Sequence, residues 1–308
     1  MNRPLADILR RHLRPMEPLT TDQPPRLRPL PGLKAVLFDV YGPLVVSASG
    51  EVGTALLASR DGAFCAALRE VGLELAESGS AAAAGPQGVD ILIHTIEQFQ
   101  QELREAGIEH PEVEIREVWR RTLERLVDAG RLPPEALRAD RQRLAVEYES
   151  RVNPCWPMPH ALECLGRLRQ LGMRLGIVSN AQFYTLELLP LLLGQSLVSL
   201  NIDPGLQYYS FHHGQAKPGR FLFDRATARL AEQGVGPGET LYVGNDMLND
   251  ILPAHEVGFR TAWFAGDGRS LRRRQDDPRV AGIEPDLVVT DLADLAGCVE
   301  QDNGDFQK

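Results

Sequence analysis

The stretch Ala35-Val-Leu-Phe-Asp-Val-Tyr-Gly-Pro-Leu44 decides the fold, because a short and fully apolar run ends abruptly at an acidic residue. An uninterrupted apolar run of this length predicts a strand that is buried on both faces, as in a parallel sheet. Asp39 then stands at the carboxyl end of that strand, where open α/β sheets bind their ligands. The stretch therefore predicts both a parallel sheet and a candidate site residue.

Similar apolar runs follow later in the chain, at residues 174–180, 241–245, 260–264 and 286–290. Helical patterns separate them, notably over residues 160–171 and around residues 221–232. Strands that alternate with helices in this way predict a doubly wound α/β sheet.

More than a hundred residues separate the first strand from the second, and they do not alternate in this way. Their apolar residues recur with a helical period, which predicts helices at about residues 61–75, 89–106, 113–129 and 134–150. An Ala/Gly/Ser-rich stretch over residues 78–88 predicts a loop. We therefore predict a helical domain over residues 51–154, inserted into an α/β core that comprises residues 34–50 and 155–297.

The two ends of the chain are predicted to lie outside this core. Residues 1–33 form an N-terminal extension in which Leu5, Ile8 and Leu9 have helical spacing and several prolines follow. A basic amphipathic start is compatible with an organelle address or a partner site. Asp7 fits an address poorly, which favours a short helix packed on its own domain, or a frayed tail. Residues 298–308 are predicted to be a C-terminal tail.

Composition excludes several classes of protein. The chain has 308 residues, with 43% hydrophobic and 24% charged residues, which is ordinary for a globular protein. Its net charge of −9 argues against a nucleic-acid partner. No apolar run reaches the roughly 18 residues of a membrane span, so we expect no membrane partner. The four cysteines form no CxxC pair, which favours a reducing, cytoplasmic location. The sequence leaves open whether the protein forms a homodimer.

Polar residues with chemical potential follow the predicted strands. Ser179 and Asn180 end the second strand of the sheet, and Lys217 precedes a later helix. The next strand runs into Asn245-Asp246, and Asp250 follows. Because the carboxyl ends of parallel strands share one edge, we expect these side chains to converge with Asp39. A single Asp in such a place is usually a helix cap or a turn residue; the whole set in this order indicates a site.

These motifs resemble the four signatures of the haloacid dehalogenase (HAD) superfamily. The first signature is matched by Phe38 to Leu44, except at Tyr41 and Pro43. The others are matched by Ser179, by Lys217-Pro218, and by Gly244 to Asp250 with Asn245 at the usual Asp position. The resemblance implies a HAD-like fold, that is, a Rossmann-type parallel sheet with an inserted α-helical cap domain. It also implies that Asp39 is the nucleophile.

The resemblance further implies a role for each residue. Asp39 would form a covalent intermediate, and Lys217 would neutralise the charge that develops on the substrate. Ser179, Asn180 and Gly42 would contact a small anionic substrate. Mg²⁺ would be the cofactor, held by Asp39, the Tyr41 carbonyl, and Asp250 or Asp246; the spacing leaves open which of these two acids takes part. The function implied is a Mg²⁺-dependent phosphatase of a small phosphorylated metabolite.

Two departures from the family pattern suggest alternatives. Phosphatases of the family usually have an acid at the position of Tyr41, which protonates the leaving oxygen. Tyr41 is a catalytic candidate that could donate a proton there, although a buried tyrosine packed on the sheet is the simpler interpretation. Proline at position 43 has no N–H to donate. Tyrosine at position 41 is typical of the family's 2-haloacid dehalogenases, whose halide needs no proton. Arg60 is the nearest candidate to bind a haloacid carboxylate. A non-catalytic protein that binds a phosphorylated ligand or a protein is the third hypothesis.

Two groups of residues could assist the chemistry or have ordinary roles. His212 and His213 precede Lys217 and could replace the missing acid, although solvated loop residues are the simpler interpretation. Arg116, Arg120 and Arg121 could bind an anion from the cap. Glutamates at neighbouring helical positions instead favour ion pairs within that helix.

Overall fold

The computed structural model describes residues 3–48, 57–76 and 88–299. Its strands, in chain order, are β1 (Ala35–Phe38), β2 (Val45–Ser47), β3 (Cys155–Pro157), β4 (Arg174–Ser179), β5 (Ile202–Tyr209), β6 (Thr240–Gly244), β7 (Arg260–Phe264) and β8 (Leu287–Val289). Its helices of eight or more residues are α1 (Arg3–His12), α2 (Leu57–Glu70), α3 (Gly88–Glu105), α4 (Ile115–Asp128), α5 (Arg141–Val152), α6 (Ala161–Gln170), α7 (Thr185–Leu193), α8 (Phe221–Glu232) and α9 (Leu292–Val299).

Six strands form one parallel sheet in the order β5-β4-β1-β6-β7-β8. Every residue of β1 is buried, because helices cover both faces of the sheet. The predicted fold class is confirmed. Sequence patterns missed β5, since Asp203-Pro-Gly interrupts its apolar pattern. Proline is tolerated there because β5 lies at the edge of the sheet.

The helical insert leaves and rejoins the core through two strands that lie side by side. β2 and β3 pair antiparallel, with Val45 opposite Pro157 and Ser47 opposite Cys155. Between them lie α2, α3, α4 and α5, which confirms the four predicted helices, except that the fourth begins at Arg141 after a separate 3₁₀ turn over Pro134–Arg138. Residues 49–56 and 77–87 are outside the described residues, as is most of the loop predicted over 78–88. The domain boundaries of the cap stay a prediction.

The N-terminal residues pack against both halves of the molecule. Leu5, Ile8 and Leu9 of α1 are buried in the main hydrophobic cluster. α1 contacts α5 of the insert and α7 of the core. Further along, Arg26 pairs antiparallel with Val288, next to the edge strand β8. The short helix packed on its own domain, one of the two interpretations that the sequence favoured, is therefore present, and Leu5, Ile8 and Leu9 belong to the main hydrophobic cluster.

The C-terminal end of the core also differs from the prediction. α9 continues to Val299, and Cys298 and Val299 are buried. The packed structure therefore extends past residue 297, where we expected the tail to begin. The remaining residues of that tail, 300–308, are outside the described part of the chain. Within the described residues, none of the helices has the length and apolar character needed to cross a membrane.

Candidate active site

A cavity of about 430 Å³ opens at the carboxyl ends of β1, β4 and β6. The α/β core contributes both the side chains that the sequence predicted and further residues that come after the same strands. Those from the core include Asp39, Tyr41, Asn180, Gln182, Lys217, Asn245, Asp246, Asn249 and Asp250. The insert adds Gln100, Arg104, Glu109, His110, Pro111 and Glu112. The cavity therefore lies between the sheet edge and the insert.

Lys217 is the centre of the charged groups in this cavity. Its Nζ lies 3.0 Å from Asp39 Oδ1 and 2.5 Å from Asp250 Oδ1, and it donates to the Tyr242 hydroxyl at 3.1 Å. Only 2% of the lysine side chain is exposed. Burial alone would lower the pKa of Lys217, but the two carboxylates outweigh it and the net shift is upward. The lysine is therefore a buried cation that two acids hold in place.

Asp250 uses both carboxylate oxygens inside the core. Oδ1 accepts from Lys217 and Tyr242, and Oδ2 accepts from the backbone N–H groups of Asn245 and Asp246, each at 2.9 Å. A widened helical turn over Met247–Ile251 brings the side chain back to its own strand end. A Cβ on Gly244 would lie 2.4 Å from the Asp250 side chain, so this approach requires glycine. Burial raises the pKa of Asp250 to about 6.

Asp246 is already neutralised by a different group. Its Oδ1 accepts from the backbone N–H groups of Leu248 and Asn249, which caps the widened turn. Arg274 donates hydrogen bonds to both of its carboxylate oxygens, including one from Nη2 to Oδ2 at 2.6 Å. The carboxylates of Asp246 and Asp250 therefore have their partners within the protein.

Asn245 stands at the position where the family pattern usually has an Asp. Its Nδ2 donates to the Ser270 carbonyl, whereas its buried Oδ1 has no hydrogen-bond partner in the described structure. A Cβ on Gly42 would lie 2.3 Å from that oxygen, and Gly42 has a φ of +113°. Glycine is thus required here twice over. The Gly42 N–H donates to the Val45 carbonyl, so it is not free for the substrate contact we predicted.

Tyr41 lines the cavity, but its hydroxyl is held elsewhere. The hydroxyl lies 2.9 Å from Thr185 Oγ1 in a buried hydrogen bond. Burial raises the pKa of Tyr41 well above its usual value of about 10. The side chain is therefore a packed, protonated tyrosine.

The end of β4 positions Lys217 as well as contributing to the cavity wall. Asn180 Oδ1 accepts from the Lys217 N–H at 2.8 Å, and Asn180 Nδ2 donates to the Lys217 carbonyl at 3.0 Å. Ser179 is fully buried and is absent from the residues that line the cavity. At the end of β4, Asn180 therefore lines the cavity and Ser179 does not, and the substrate contact of Asn180 stays a prediction.

Glu112 of the insert is a site residue that sequence reasoning missed. It accepts from Ser210 Oγ at 2.6 Å and from Gln182 Nε2 at 3.0 Å. Burial raises its pKa to about 7. A single glutamate after a proline has no pattern that marks it in the sequence.

The charged groups that the sequence singled out outside the strand ends have ordinary contacts. Arg120 and Arg121 pair with Glu117 on the same helix, as the ion-pair interpretation predicted. Arg116 pairs with Glu114. His212 and His213 do not line the cavity.

The donor set decides which residues could hold Mg²⁺. The described residues contain no group of three or more His, Cys, Asp or Glu side chains that could bind a metal. Asp246 and Asp250, which we had expected as ligands, are already engaged. A smaller set fits: the Asp39 carboxylate, whose Oδ1 already contacts Lys217, and the buried Oδ1 of Asn245, which has no hydrogen-bond partner in the described structure. Mg²⁺ commonly takes one or two carboxylates and keeps several waters, so this pair with the Tyr41 carbonyl suits it.

Comparison with known proteins agrees with the geometry. A family model for haloacid dehalogenase-like hydrolases matches residues 33–258. Glyceraldehyde 3-phosphate phosphatase from Pyrococcus abyssi is 30% identical over 149 residues, which is 48% of this chain and 56% of that protein. The enzyme of the same description from Pyrococcus furiosus is 28% identical over the same shares. The chain spans about half the length of these curated relatives.

Among solved structures, the 2-haloacid dehalogenase from Pseudomonas syringae pv. Tomato DC3000 is similar with a TM-score of 0.54. It is 21% identical, and the alignment covers 86% of this chain and 97% of that one. At that identity the likeness concerns the fold alone.

Proposed function

Since the chain belongs to the haloacid dehalogenase-like hydrolase family, we propose that it hydrolyses the phosphate ester of a small metabolite through an aspartyl-phosphate on Asp39. One observation carries the proposal. Asp39 lies at the edge of the sheet, in a polar cavity, beside the buried Lys217 that Asp250 also contacts. The phosphatase description of the curated relatives supports this choice of ester.

Asp39 has the environment that a nucleophilic carboxylate needs. Only 12% of its side chain is exposed, and Lys217 contacts Oδ1. The lysine would orient the carboxylate and stabilise negative charge on the phosphoryl group during transfer. The attack forms a bond between an Asp39 oxygen and phosphorus, and the ester oxygen leaves. Water then cleaves the acyl phosphate and restores Asp39.

The proposed cofactor is Mg²⁺, held by Asp39, the Tyr41 carbonyl and the Asn245 amide oxygen. When bound, it would offset the repulsion between Asp39 and an anionic substrate, which is about 4 kcal/mol for unit charges 4 Å apart near an effective dielectric of 20. Because Asn245 contributes no charge, we expect weaker Mg²⁺ affinity than an Asp at that position would give. Asn245→Asp is expected to tighten Mg²⁺ binding, measured by calorimetry.

The test is hydrolysis of p-nitrophenyl phosphate by the purified protein, with and without Mg²⁺. The leaving group is acidic, so the assay reports attack by Asp39 with little need for a proton donor. Asp39→Asn should lose activity by about 10³-fold or more. Asp224→Asn, an exposed acid on α8 paired with Arg220, is the matched control and should retain activity. Equal activity in the Asp39→Asn protein and its parent would refute the proposal.

A 2-haloacid dehalogenase-type reaction is the second candidate, favoured by two observations. Tyr41 offers no proton to a leaving group because its hydroxyl is bonded to Thr185, and Asn245 replaces an acid. Release of halide from 2-chloropropionate in the presence of EDTA would favour this reaction. Ligand-induced thermal stabilisation without turnover of either substrate class would instead favour a binding protein.

A further inference from the structure

The proposed phosphatase lacks a proton donor at position 41, and the structure contains a candidate elsewhere in the same cavity. The segment around Glu112 crosses from the insert to the core and is fixed there. Pro111 pairs antiparallel with Gln215, the Glu112 N–H donates to the Gly214 carbonyl at 3.1 Å, and the Ala216 N–H donates to the His110 carbonyl at 2.8 Å. Glu112 is therefore fixed to the loop that carries Lys217.

The carboxyl group of Glu112 is surrounded by neutral hydrogen-bond partners. Ser210 Oγ contacts Oε2, and Gln182 Nε2 donates to Oε1 while also donating to the Val113 carbonyl at 2.7 Å. None of these partners is a cation that would hold the carboxylate ionised. Burial raises the pKa of Glu112 from 4.5 to about 7, so the group carries a proton during part of its time near neutral pH. A pKa near the working pH suits a proton donor.

The position of this carboxyl relative to Asp39 follows from the sheet. β4 lies next to β1. Just beyond β4, the Ala181 N–H donates to Ser210 Oγ, which also lies within hydrogen-bond distance of the Ala181 carbonyl. Ser210 in turn holds Glu112. Asp39 and Glu112 line the same cavity from the sheet edge and from the insert. A protonated carboxyl group has one O–H donor and keeps acceptor positions, so Glu112 can accept from Gln182 and still donate its proton to a substrate.

We propose that Glu112 is the catalytic residue that donates the proton to the leaving ester oxygen. This inference rests on the proposed phosphatase function. In the first step an Asp39 oxygen bonds to phosphorus, the bond from phosphorus to the ester oxygen breaks, and the Glu112 proton moves to that oxygen, giving an alcohol and the Glu112 carboxylate. In the second step water adds to phosphorus, the bond to Asp39 breaks, and one water proton returns to Glu112. The products are the alcohol and hydrogen phosphate.

The test compares two leaving groups in two variants. Glu112→Gln keeps an oxygen that can accept from Gln182 Nε2 and supplies an N–H that can donate to Ser210 Oγ, but it removes the acid. For glycerol 2-phosphate, whose alcohol leaves poorly, kcat should fall by about 10²–10⁴-fold. For p-nitrophenyl phosphate it should fall much less, since that group needs little protonation. Glu149→Gln is the matched control, because burial raises the pKa of Glu149 to about 7 as well but it does not line this cavity.

The outcomes separate the two levels of inference. If the parent protein hydrolyses neither phosphate, the proposed function fails. If it hydrolyses both and Glu112→Gln slows them equally, or slows neither, the donor role of Glu112 is refuted and its contacts are structural. If Glu112→Gln does not fold, Glu112→Asp decides: an acid displaced by one methylene should lower the rate with glycerol 2-phosphate selectively, and an unchanged ratio of the two rates overturns the proposal.

Discussion

Replacing Asp250 by Asn should destabilise the protein through the lysine that it holds. The substitution keeps the shape and can preserve the contacts of Oδ2 with the two backbone N–H groups. It removes the charge that lies 2.5 Å from Lys217 Nζ, where the lysine side chain is only 2% exposed. Breaking a buried ion pair by removing one partner costs about 3–5 kcal/mol. Asp39 remains as a second partner at 3.0 Å, so we expect a loss near the lower end, about 3 kcal/mol.

The loss is measured as a change in the free energy of unfolding from urea denaturation at pH 7. An unchanged m-value is required for the comparison, since a changed one indicates a different denatured or native state. Asp224→Asn is again the control: it breaks an exposed pair with Arg220 and should cost at most about 1 kcal/mol. Asp250→Asn should therefore differ clearly from a surface substitution of the same chemistry.

A double mutant tests whether the loss comes from Lys217. Lys217→Met leaves the carboxylates of Asp39 and Asp250 buried close together without their cation. In Lys217→Met with Asp250→Asn neither the cation nor the second carboxylate remains, so its cost should be below the sum of the single costs by about 0.5–3 kcal/mol. Additive costs, or a loss under about 1 kcal/mol for Asp250→Asn alone, would show that the buried pair is not what stabilises this edge of the sheet.

Three further predictions concern other parts of the molecule. Burial raises the pKa of Glu149 from 4.5 to about 7. Its proton therefore stabilises the native state fully below pH 4.5, and roughly 3 kcal/mol of this stabilisation is lost as the pH rises from 4.5 through 7. Glu149→Gln should flatten the resulting fall in the free energy of unfolding between about pH 5 and pH 8. Tyr41→Phe removes a hydroxyl bonded to Thr185 and should cost about 1 kcal/mol in urea unfolding while leaving p-nitrophenyl phosphate turnover within twofold; a large loss of turnover would assign the hydroxyl a catalytic role. Leu9→Ala, at a buried position of α1, should cost about 2–5 kcal/mol, and a thermal shift near zero would show that α1 is not docked in solution.

The parallel sheet could be predicted because buried parallel strands leave a local signal. Each of the five predicted strands is a continuous apolar run, and the runs alternate with helical patterns. β5 left no such signal, because its position at the edge tolerates Asp203, Pro204 and Gly205. The convergence of Asp39, Asn180 and Lys217 on one cavity followed from the same reasoning, since the ends of parallel strands share an edge.

The N-terminal helix shows the limit of a local pattern. Leu5, Ile8 and Leu9 have helical spacing, so the helix itself could be predicted. The elements that it packs against could not be predicted, because α5 and α7 lie more than a hundred residues further along the chain. Arg11 of α1 also donates to Glu147, a fully buried acid on α5. A short basic helix thus forms part of the contact between insert and core, where the sequence pattern allowed a packed helix or a frayed tail.

The different contacts of Asp246 and Asp250, the two acids after β6, depend on cations whose positions the sequence spacing does not reveal. By sequence, the ambiguous register left both Asp246 and Asp250 as candidates for a metal site, with Asp250 preferred. Asp246 is neutralised by Arg274, which lies 28 residues further along the chain, and Asp250 is turned inward by the widened turn to meet Lys217. The cavity-lining residues Asp39 and Asn245 each keep a buried Oδ1 without a well-formed hydrogen bond. The cavity therefore combines the proposed nucleophile Asp39 and the buried Lys217 with the weakly acidic Glu112. Under the proposed function, this combination suits an anionic substrate whose leaving group sets how much it depends on a proton donor.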